Sequence, residues 1–297
     1  MSLQLPERSA SLPRRARRIT LLGLLGVALL VLSACGSDTE LERLAMPKPV
    51  TVEGESTLEL WQGAWIAALV TGVIVWGLIF YAIIKFRRRS DDEVPIQTRY
   101  NLPLEIFYTI FPIIMVIVFF SHTIRVQNIV LNDEDVVPDQ TVYVVGQQWS
   151  WTFNYPEAVD GKNVYEAGDG AANPIPTLVL PVGQTTRFEL RSPDVIHDFG
   201  VPGFLIKMDI IPGQENYFQV TPKVEGTYAG KCYELCGVYH SRMLFNVDIV
   251  SPEEYEQYLQ DQYDAGFFTD TPVCGGQYAR TQVAKDDEDA VIEEACQ

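Results

Sequence analysis

Hydrophobic and polar positions divide the chain into two parts, of which the first is dominated by long apolar runs. These runs cover residues 19–32, 60–84 and 106–124. The second has 25 residues without a formal charge and the third has 19. Each of these two is long enough for a helix that crosses a hydrocarbon core of about 30 Å. We therefore predict a transmembrane hairpin at residues 58–125, with helices at about 60–84 and 104–124.

Beyond residue 140 the apolar positions alternate with polar ones in short runs such as RFELR and FNVDIV. A period of two, with β-branched and aromatic residues between Pro and Gly, is typical of an all-β domain. The pattern predicts a small Greek-key β-sandwich at residues 126–260. The Gly-, Asn-, Asp- and Pro-rich stretch 154–176 is predicted to be a surface insertion between two strands. A short helix should follow Ser251, and residues 261–297 should form an acidic tail.

The first apolar run has the layout of an export signal. It follows an arginine-rich start and ends in Leu-Ser-Ala-Cys. This ending resembles the lipobox of bacterial lipoproteins, which implies a signal peptide at residues 1–34, cleavage before Cys35 and a diacylglycerol on the Cys35 sulfur. An uncleaved signal anchor is the alternative. Residues 35–57 are then an extracytoplasmic N-terminal segment.

Basic residues between the two predicted membrane helices set the topology. They lie directly after the first helix and comprise Lys85, Arg87, Arg88 and Arg89. Because basic residues stay on the cytoplasmic side of a membrane, both ends of the hairpin face outward. The chain is therefore predicted to be a multi-pass, lipid-anchored protein of the cell membrane, with everything after Arg125 extracytoplasmic.

The chain is strongly acidic, with 39 Asp and Glu against 22 Lys and Arg and a formal net charge of −17. Such a surface repels nucleic acid and would attract a basic protein partner. Solubility alone explains the acidic run near the C-terminus equally well.

Soft ligands are concentrated in the stretch KCYELCGVYHSRM. Cys232, Cys236, His240 and Met243 follow one another as C-x3-C-x3-H-x2-M. His197 is the other histidine of the exterior part, whereas His122 lies near the end of the second apolar helix and is predicted to be an interfacial residue.

Three chemistries compete for this cluster. Structural zinc sites more often show C-x2-C, and a methionine adds nothing for that ion. A disulfide between the two cysteines is possible outside the cytoplasm, but it leaves the histidines and the methionine unexplained. Two thiols, two imidazoles and a thioether on a β-sandwich favour copper, and a second thiolate allows a pair of coppers to be bridged.

Three motifs, DVIHDFGVP, KMDIIPG and KCYELCGVYHSRM, resemble those of subunit II of the haem-copper cytochrome c oxidases, and the likeness extends from about residue 58 to 260. The resemblance implies a cupredoxin domain with a binuclear copper centre, CuA. In it Cys232 and Cys236 would bridge both coppers, and His197 and His240 would each bind one. Met243 and the main-chain carbonyl of Glu234 would be weak outer ligands. The Glu234 carboxylate would bind a Mg²⁺ ion shared with subunit I.

The resemblance also implies roles outside the ligand set. Trp149 and Trp151 match an aromatic patch, and Trp149 is the position at which electrons would arrive from cytochrome c. Glu105 matches a carboxylate at the mouth of a proton pathway.

The chain would assemble with subunits I and III. Haems and CuB in subunit I would reduce O2 to water with proton pumping. The lipidated form with an insertion resembles the subunits of high-GC Gram-positive bacteria, where the cytochrome c is membrane-bound or part of a cytochrome bc supercomplex.

Two cysteines, Cys274 and Cys296, lie outside the motif, and we predict a disulfide between them. Among alternatives, a quinol oxidase subunit II lacks the copper ligands. A Sco-like copper-delivery lipoprotein has its histidine well downstream of its cysteines and one membrane anchor. The CuA domain of nitrous oxide reductase shares the ligands without the hairpin.

Overall fold

The computed structural model describes residues 40–90, 93–94, 97–131, 136–168 and 175–274. The predicted signal peptide, Cys35 and Cys296 lie outside these residues. Residues 40–46 belong to a compact unit separate from the rest of the chain. They form a turn that is closed by a 2.9 Å hydrogen bond from the Ala45 amide to the Glu40 carbonyl.

Two long apolar helices follow, α1 at Val52–Lys85 and α2 at Leu102–Leu131. Both are long and apolar enough to cross a membrane. Of their described residues, α1 buries Gly54 alone and α2 buries Val126 alone, so their apolar side chains face outward. The predicted hairpin is confirmed, but both helices are longer than predicted. At about 1.5 Å per residue, the 34 residues of α1 extend well beyond a hydrocarbon core.

The β-domain consists of two sheets. Its strands are β1 (Gln140–Gln147), β2 (Ser150–Val159), β3 (Lys162–Ala167), β4 (Thr177–Pro181), β5 (Thr186–Arg191), β6 (His197–Val201), β7 (Ile206–Ile210), β8 (Asn216–Val220), β9 (Gly226–Cys232), β10 (Leu244–Val250) and β11 (Phe268–Thr269). One sheet has the order β11-β3-β2-β1-β5-β8 and the other β4-β10-β9-β6-β7. Helix α3, Pro252–Asp264, follows β10 and begins with a capping box at Ser251 and Glu254. The predicted all-β sandwich is confirmed.

Aromatic side chains fill the space between the sheets. Phe199 of β6 stacks on Phe245 of β10 with ring centroids 4.9 Å apart, and Trp151 of β2 meets the edge of Phe245 at 5.1 Å. All three are fully buried or nearly so. Large rings with edge and stacked contacts contribute strongly to core stability, and this aromatic cluster lies directly beneath the ligands described below.

Residues 154–176, predicted to be a surface insertion, contain regular strands in the structure. Their first part continues β2 and forms a hairpin with β3. Asp160 and Gly161, at φ 50° and 72°, make the turn, as an Asp-Gly pair does in a two-residue hairpin. Strand β11 then pairs with β3, and Tyr255 of α3 packs on Tyr155 of β2 at 6.1 Å. The folded domain therefore extends past residue 260, and the predicted tail begins too early.

We predict that Gly230→Ala lowers the unfolding temperature. An ideal Cβ at Gly230 would lie 2.1 Å from ring atoms of Phe245, so the aromatic cluster would have to move, at a cost of about 1–3 kcal/mol. Gly63→Ala is the matched control, because nothing lies within 4 Å of its Cβ position. Thermal unfolding of the full chain in detergent, followed by near-UV circular dichroism, compares the two. Equal unfolding temperatures would contradict the packing argument.

Candidate metal centre

Three chain segments meet at one end of the β-sandwich. The first is the ligand loop, residues 232–243, which joins β9 to β10. The second is residues 194–197, which lead into β6. The third is the tip of the β1–β2 hairpin, Gln148 and Trp149. Pairing of β9 with β10 closes the ligand loop, and the Cys232 amide donates to the Met243 carbonyl at 3.0 Å.

The donor atoms of the ligand loop converge. The sulfur atoms of Cys232 and Cys236 lie 3.9 Å apart. Cys236 Sγ lies 3.6 Å from His240 Nδ1 and 3.7 Å from Met243 Sδ. Cys232 Sγ lies 3.2 Å from the carbonyl oxygen of Glu234. One short loop therefore collects two thiols, an imidazole, a thioether and a carbonyl.

The remaining ligand comes from β6, which pairs with β9 in the same sheet. Nδ1 of His197 lies 3.9 Å from Cys232 Sγ. The ligand atoms of His197, Cys232 and Cys236 all lie within 4.8 Å of one another, as a metal site requires. His197 is completely buried, and Cys232 and Cys236 are each 3% exposed. All six residues predicted as copper ligands are thus brought together.

The two thiols do not form a disulfide. Both cysteines are free, and their separation of 3.9 Å is far beyond the S–S bond length of about 2.05 Å. The hydrogen bond between the Cys232 and Cys236 thiols is the largest cause that holds the pKa of Cys232 well below its ordinary value. A hydrogen bond with His197 acts in the same direction, and burial opposes both. The hydrogen bond between the two thiols raises the pKa of Cys236 well above its ordinary value. Two thiols whose pKa values are shifted in opposite directions do not ionise together, so a cation that uses both thiolates must displace a proton.

Asp194 orients His197. Its Oδ1 atom lies 2.9 Å from His197 Nε2, and the Asp194 side chain is 3% exposed. Burial by itself lowers the pKa of His197, but hydrogen bonds to Asp194 and Cys232 outweigh it, and the pKa is raised. Burial raises the pKa of Asp194, but its hydrogen bonds to His197, Gln148 and Val195 reverse the shift. A carboxylate that holds the outer nitrogen of a histidine leaves the inner nitrogen directed at the metal.

The hairpin tip joins the two ligand segments. The Gln148 amide donates to Asp194 Oδ2 at 2.6 Å, and its side-chain amide donates to the Cys236 carbonyl at 2.7 Å. The Trp149 indole donates to the same carbonyl at 3.2 Å, and its ring meets Tyr239 edge-on at 5.1 Å. Trp149 is partly exposed, so a single side chain reaches from solvent to the backbone of a ligand.

Trp151 departs from the predicted aromatic patch. It is fully buried, and its indole donates to the Met243 carbonyl at 3.3 Å. The first six residues of β2, Trp151 among them, are all buried, whereas Trp149 lies at the hairpin tip. Of the two tryptophans, Trp149 is therefore the one that solvent reaches, and the role of Trp151 in the aromatic patch stays a prediction.

Other predicted residues lie away from the donor atoms. The Glu234 side chain is exposed. At the start of α2, Glu105 accepts a 2.9 Å hydrogen bond from the Asn101 amide, which gives it a helix-capping contact. His122 lies on the exposed surface of α2. Cys274 is disulfide-bonded, and its partner lies outside the described residues, so pairing with Cys296 stays a prediction.

The sequence reasoning missed Asp194 and Gln148. Asp194 could have been found, since a carboxylate three residues before a metal-binding histidine is a plausible partner for its outer nitrogen. Gln148 carried no such signal, because only the fold of the hairpin brings it to Cys236.

The donor set fits a soft metal. Two thiols, two imidazole nitrogens and a thioether within one buried cluster match the ligands that copper prefers, and the pair of thiols suits two ions that share them. A single zinc ion with four ligands would leave donors unused.

We predict that Asp194→Asn weakens copper binding by about 10- to 100-fold, as is typical for loss of a partner that orients a ligand. The amide removes the negative charge and cannot accept hydrogen bonds through its nitrogen. Competition with a copper chelator, followed by thiolate-to-copper absorption, measures the change. Asp209→Asn, at an exposed carboxylate of β7, is the control. Equal affinity of the two variants would rule out the orienting role.

Comparisons with known proteins show which family the chain resembles. A family model described as cytochrome c oxidase subunit II, periplasmic domain, matches residues 140–250. A probable cytochrome c oxidase subunit 2 of Streptomyces avermitilis is 50% identical over 290 residues, with 86% of this chain and 91% of the relative covered. The subunit 2 of Mycobacterium bovis is 34% identical, with 87% and 86% covered. The crystal structure of the periplasmic domain of cytochrome oxidase subunit II (CoxB) from Bradyrhizobium japonicum is 27% identical, with 44% of this chain and 97% of that chain covered and a TM-score of 0.39. The chain belongs to the cytochrome c oxidase subunit II family.

Proposed function

We propose that the chain is the electron-accepting subunit of a proton-translocating cytochrome c oxidase, and that the cluster at Cys232 and Cys236 holds the binuclear copper centre CuA. The observation that carries this proposal is the convergence of all six donors at one buried site. Cys232 and Cys236 would bridge the two coppers, and His197 and His240 would bind one each, with Met243 and the Glu234 carbonyl as outer ligands. Copper, when bound, supplies reversible one-electron transfer.

The surrounding residues keep the site rigid and dry. Asp194 holds His197 in one orientation, and Gln148 holds the Cys236 carbonyl. Cys232, Cys236 and Met243 are buried, which excludes water from the sulfur atoms. Ligands that are already in place need little rearrangement when charge changes, which favours electron transfer over bond chemistry.

Trp149 is the proposed point of electron uptake. It is partly exposed and contacts the Cys236 carbonyl through its indole nitrogen at 3.2 Å. Exposed apolar side chains of the ligand loop surround this face: Leu235 is 77% exposed and Val238 is 81% exposed. An apolar contact surface on a protein of net negative charge suits an electron donor whose docking surface is basic. The donor would be a cytochrome c, membrane-bound or part of a cytochrome bc supercomplex.

The electron acceptor would lie in the membrane partner. Subunit I, with its haems and CuB, would receive the electron and reduce O2 to water, and subunit III would complete the assembly. The exposed Glu234 carboxylate is free to reach a Mg²⁺ ion shared with subunit I, because an oxygen donor suits that hard ion. Glu105, at the start of α2, would lie at a proton-pathway mouth.

The two apolar helices support a membrane location for the whole chain. The basic residues after α1 support a metal centre outside the cytoplasm, because basic residues stay on the cytoplasmic side of a membrane. Lipidation at Cys35 would add a further anchor to the cell membrane. A Sco-like copper-delivery role does not fit this arrangement. A Sco-like protein has its histidine downstream of its cysteines and one membrane anchor, whereas here His197 lies on β6, before the cysteines, and two membrane helices precede the domain.

We predict that Cys232→Ser and Cys236→Ser abolish the electron paramagnetic resonance pattern of a mixed-valence copper pair. A serine hydroxyl cannot bridge two coppers as a thiolate does. Ser241→Ala is the control, since Ser241 is an exposed residue of the same loop and is not a predicted ligand. A single-copper spectrum in the unaltered protein would contradict the binuclear site.

We further predict that Trp149→Ala leaves the copper spectrum intact and slows electron uptake from cytochrome c. The substitution removes the ring on the exposed side of Cys236 without removing a ligand. Trp149→Phe keeps an aromatic ring and removes the indole hydrogen bond, so it separates the two contributions. Stopped-flow reduction of the copper centre measures the rate. Unchanged uptake in Trp149→Ala would place the uptake point elsewhere.

A further inference from the structure

The first turn of α1 is bound to the β-domain at two separate places. One is the region just after β8, at Thr221 and Lys223. The other is the short 3-10 turn Pro202–Phe204, which directly follows β6. Because β8 and β6 belong to different sheets, the helix start connects both layers of the sandwich.

The contact after β8 depends on Glu53. Its carboxylate accepts hydrogen bonds from the Thr221 amide at 2.9 Å and from the Thr221 hydroxyl at 3.1 Å. The neighbouring main chain continues the pairing: the Val52 amide donates to the Thr221 carbonyl at 3.0 Å, and the Lys223 amide to the Val50 carbonyl at 2.8 Å. Hydrogen bonds to a charged acceptor are the stronger kind, and Glu53 also lies in the first turn of α1, where the helix dipole favours an acid.

The contact after β6 depends on the small size of Gly54. An ideal Cβ there would lie 2.9 Å from the Phe204 carbonyl oxygen. The Val50 amide donates to the Gly203 carbonyl at 2.8 Å, and the Thr51 hydroxyl donates to the Phe204 carbonyl at 3.4 Å. Gly54 is the buried residue of α1, so the helix backbone packs directly on the turn.

Strand β6 connects the turn that α1 contacts to the metal site. It begins with His197 and ends at Val201, one residue before the turn that α1 contacts. All five of its residues are buried, and it pairs with β7 and β9. Four steps of about 3.3 Å along a strand separate the two ends by about 13 Å. Because β6 is packed on both sides, a displacement of the turn would be transmitted to His197.

We propose that Glu53 and Gly54 are positioning residues: they join the outer end of α1 to β6 as one rigid brace that fixes the height and tilt of the metal centre above the membrane. A helix attached at one point could rotate, whereas attachment to both sheets removes that freedom. Electron transfer to a membrane partner depends on the distance that this brace sets. The part of the proposal that concerns electron transfer rests on the proposed function; the part that concerns rigidity does not.

Substitutions along α1 test the brace with matched controls. Glu53→Ala removes both hydrogen bonds to Thr221, and Glu59→Ala removes an exposed acid of the same helix. Gly54→Ala forces the turn away, whereas Gly63→Ala adds a methyl group where nothing lies within 4 Å. Glu53→Gln keeps one acceptor oxygen, so it should retain part of the contact with Thr221 and give a smaller change than Glu53→Ala.

Hydrogen exchange of the full chain in nanodiscs gives the first result. In Glu53→Ala and Gly54→Ala the amides of Val50 and Lys223 should exchange roughly 10- to 100-fold faster than in the controls, as loss of charged hydrogen bonds implies. These amides do not bond to the altered side chains, so faster exchange reports detachment of the helix. Exchange at control rates would overturn the brace.

Electron transfer in the assembled oxidase gives the second result. After flash reduction, transfer from the copper site to the haem of the membrane partner should slow in Glu53→Ala, while reduction by cytochrome c and the copper spectrum stay unchanged. If Glu53 only stabilised the fold, reduction by cytochrome c and transfer to the haem would both keep their rates. Faster amide exchange together with an unchanged rate of transfer to the haem would therefore overturn the positioning role. If the unaltered protein shows no paired-copper spectrum, the proposed function fails, and the exchange comparison still decides whether the brace exists.

Discussion

Two cysteine sulfur atoms lie 3.9 Å apart in a buried pocket without bonding to each other, and the rest of the structure depends on maintaining this spacing. Both thiols cannot become thiolates there without a cation, because two buried like charges repel. The pairing of β9 with β10 sets the ends of the ligand loop, and the Cys236 carbonyl is held from outside by Gln148 and Trp149.

Asp194 connects this loop to β6, the neighbouring strand of the same sheet. It bonds to His197 through one oxygen and to the Gln148 amide through the other, so the histidine ligand, the hairpin tip and the cysteine loop share one network. In a site with low solvent exposure, a fully paired network of this kind rigidifies the groups that it joins. A second rigid connection runs toward the membrane: β6 links His197 to the turn Pro202–Phe204, against which α1 begins.

The sequence predicted more of the ligand set than of its surroundings. Cys232, Cys236, His240 and Met243 lie on one short loop, so their proximity follows from chain connectivity. His197 followed from the resemblance. The β2–β3 hairpin was missed because Gly- and Asp-rich composition was interpreted as a loop, although Asp160 and Gly161 form the turn that their residue types favour. The resemblance assigned Trp149 and Trp151 to one aromatic patch, whereas the structure buries Trp151 and leaves Trp149 partly exposed. The two differ because Trp149 lies in the turn before β2, whereas Trp151 lies within β2, whose first six residues are all buried.

The sequence by itself determined which chemistry is possible: soft donors at close spacing, two apolar spans and an acidic all-β domain. These properties are local, since composition, period and spacing are defined along the chain. The tertiary structure decided which polar groups meet the donors. Asp194, Gln148 and Glu53 lie 3, 88 and 168 positions from the residues that they hold. Contacts at the longer separations arise only when two sheets pack and a helix begins against both of them.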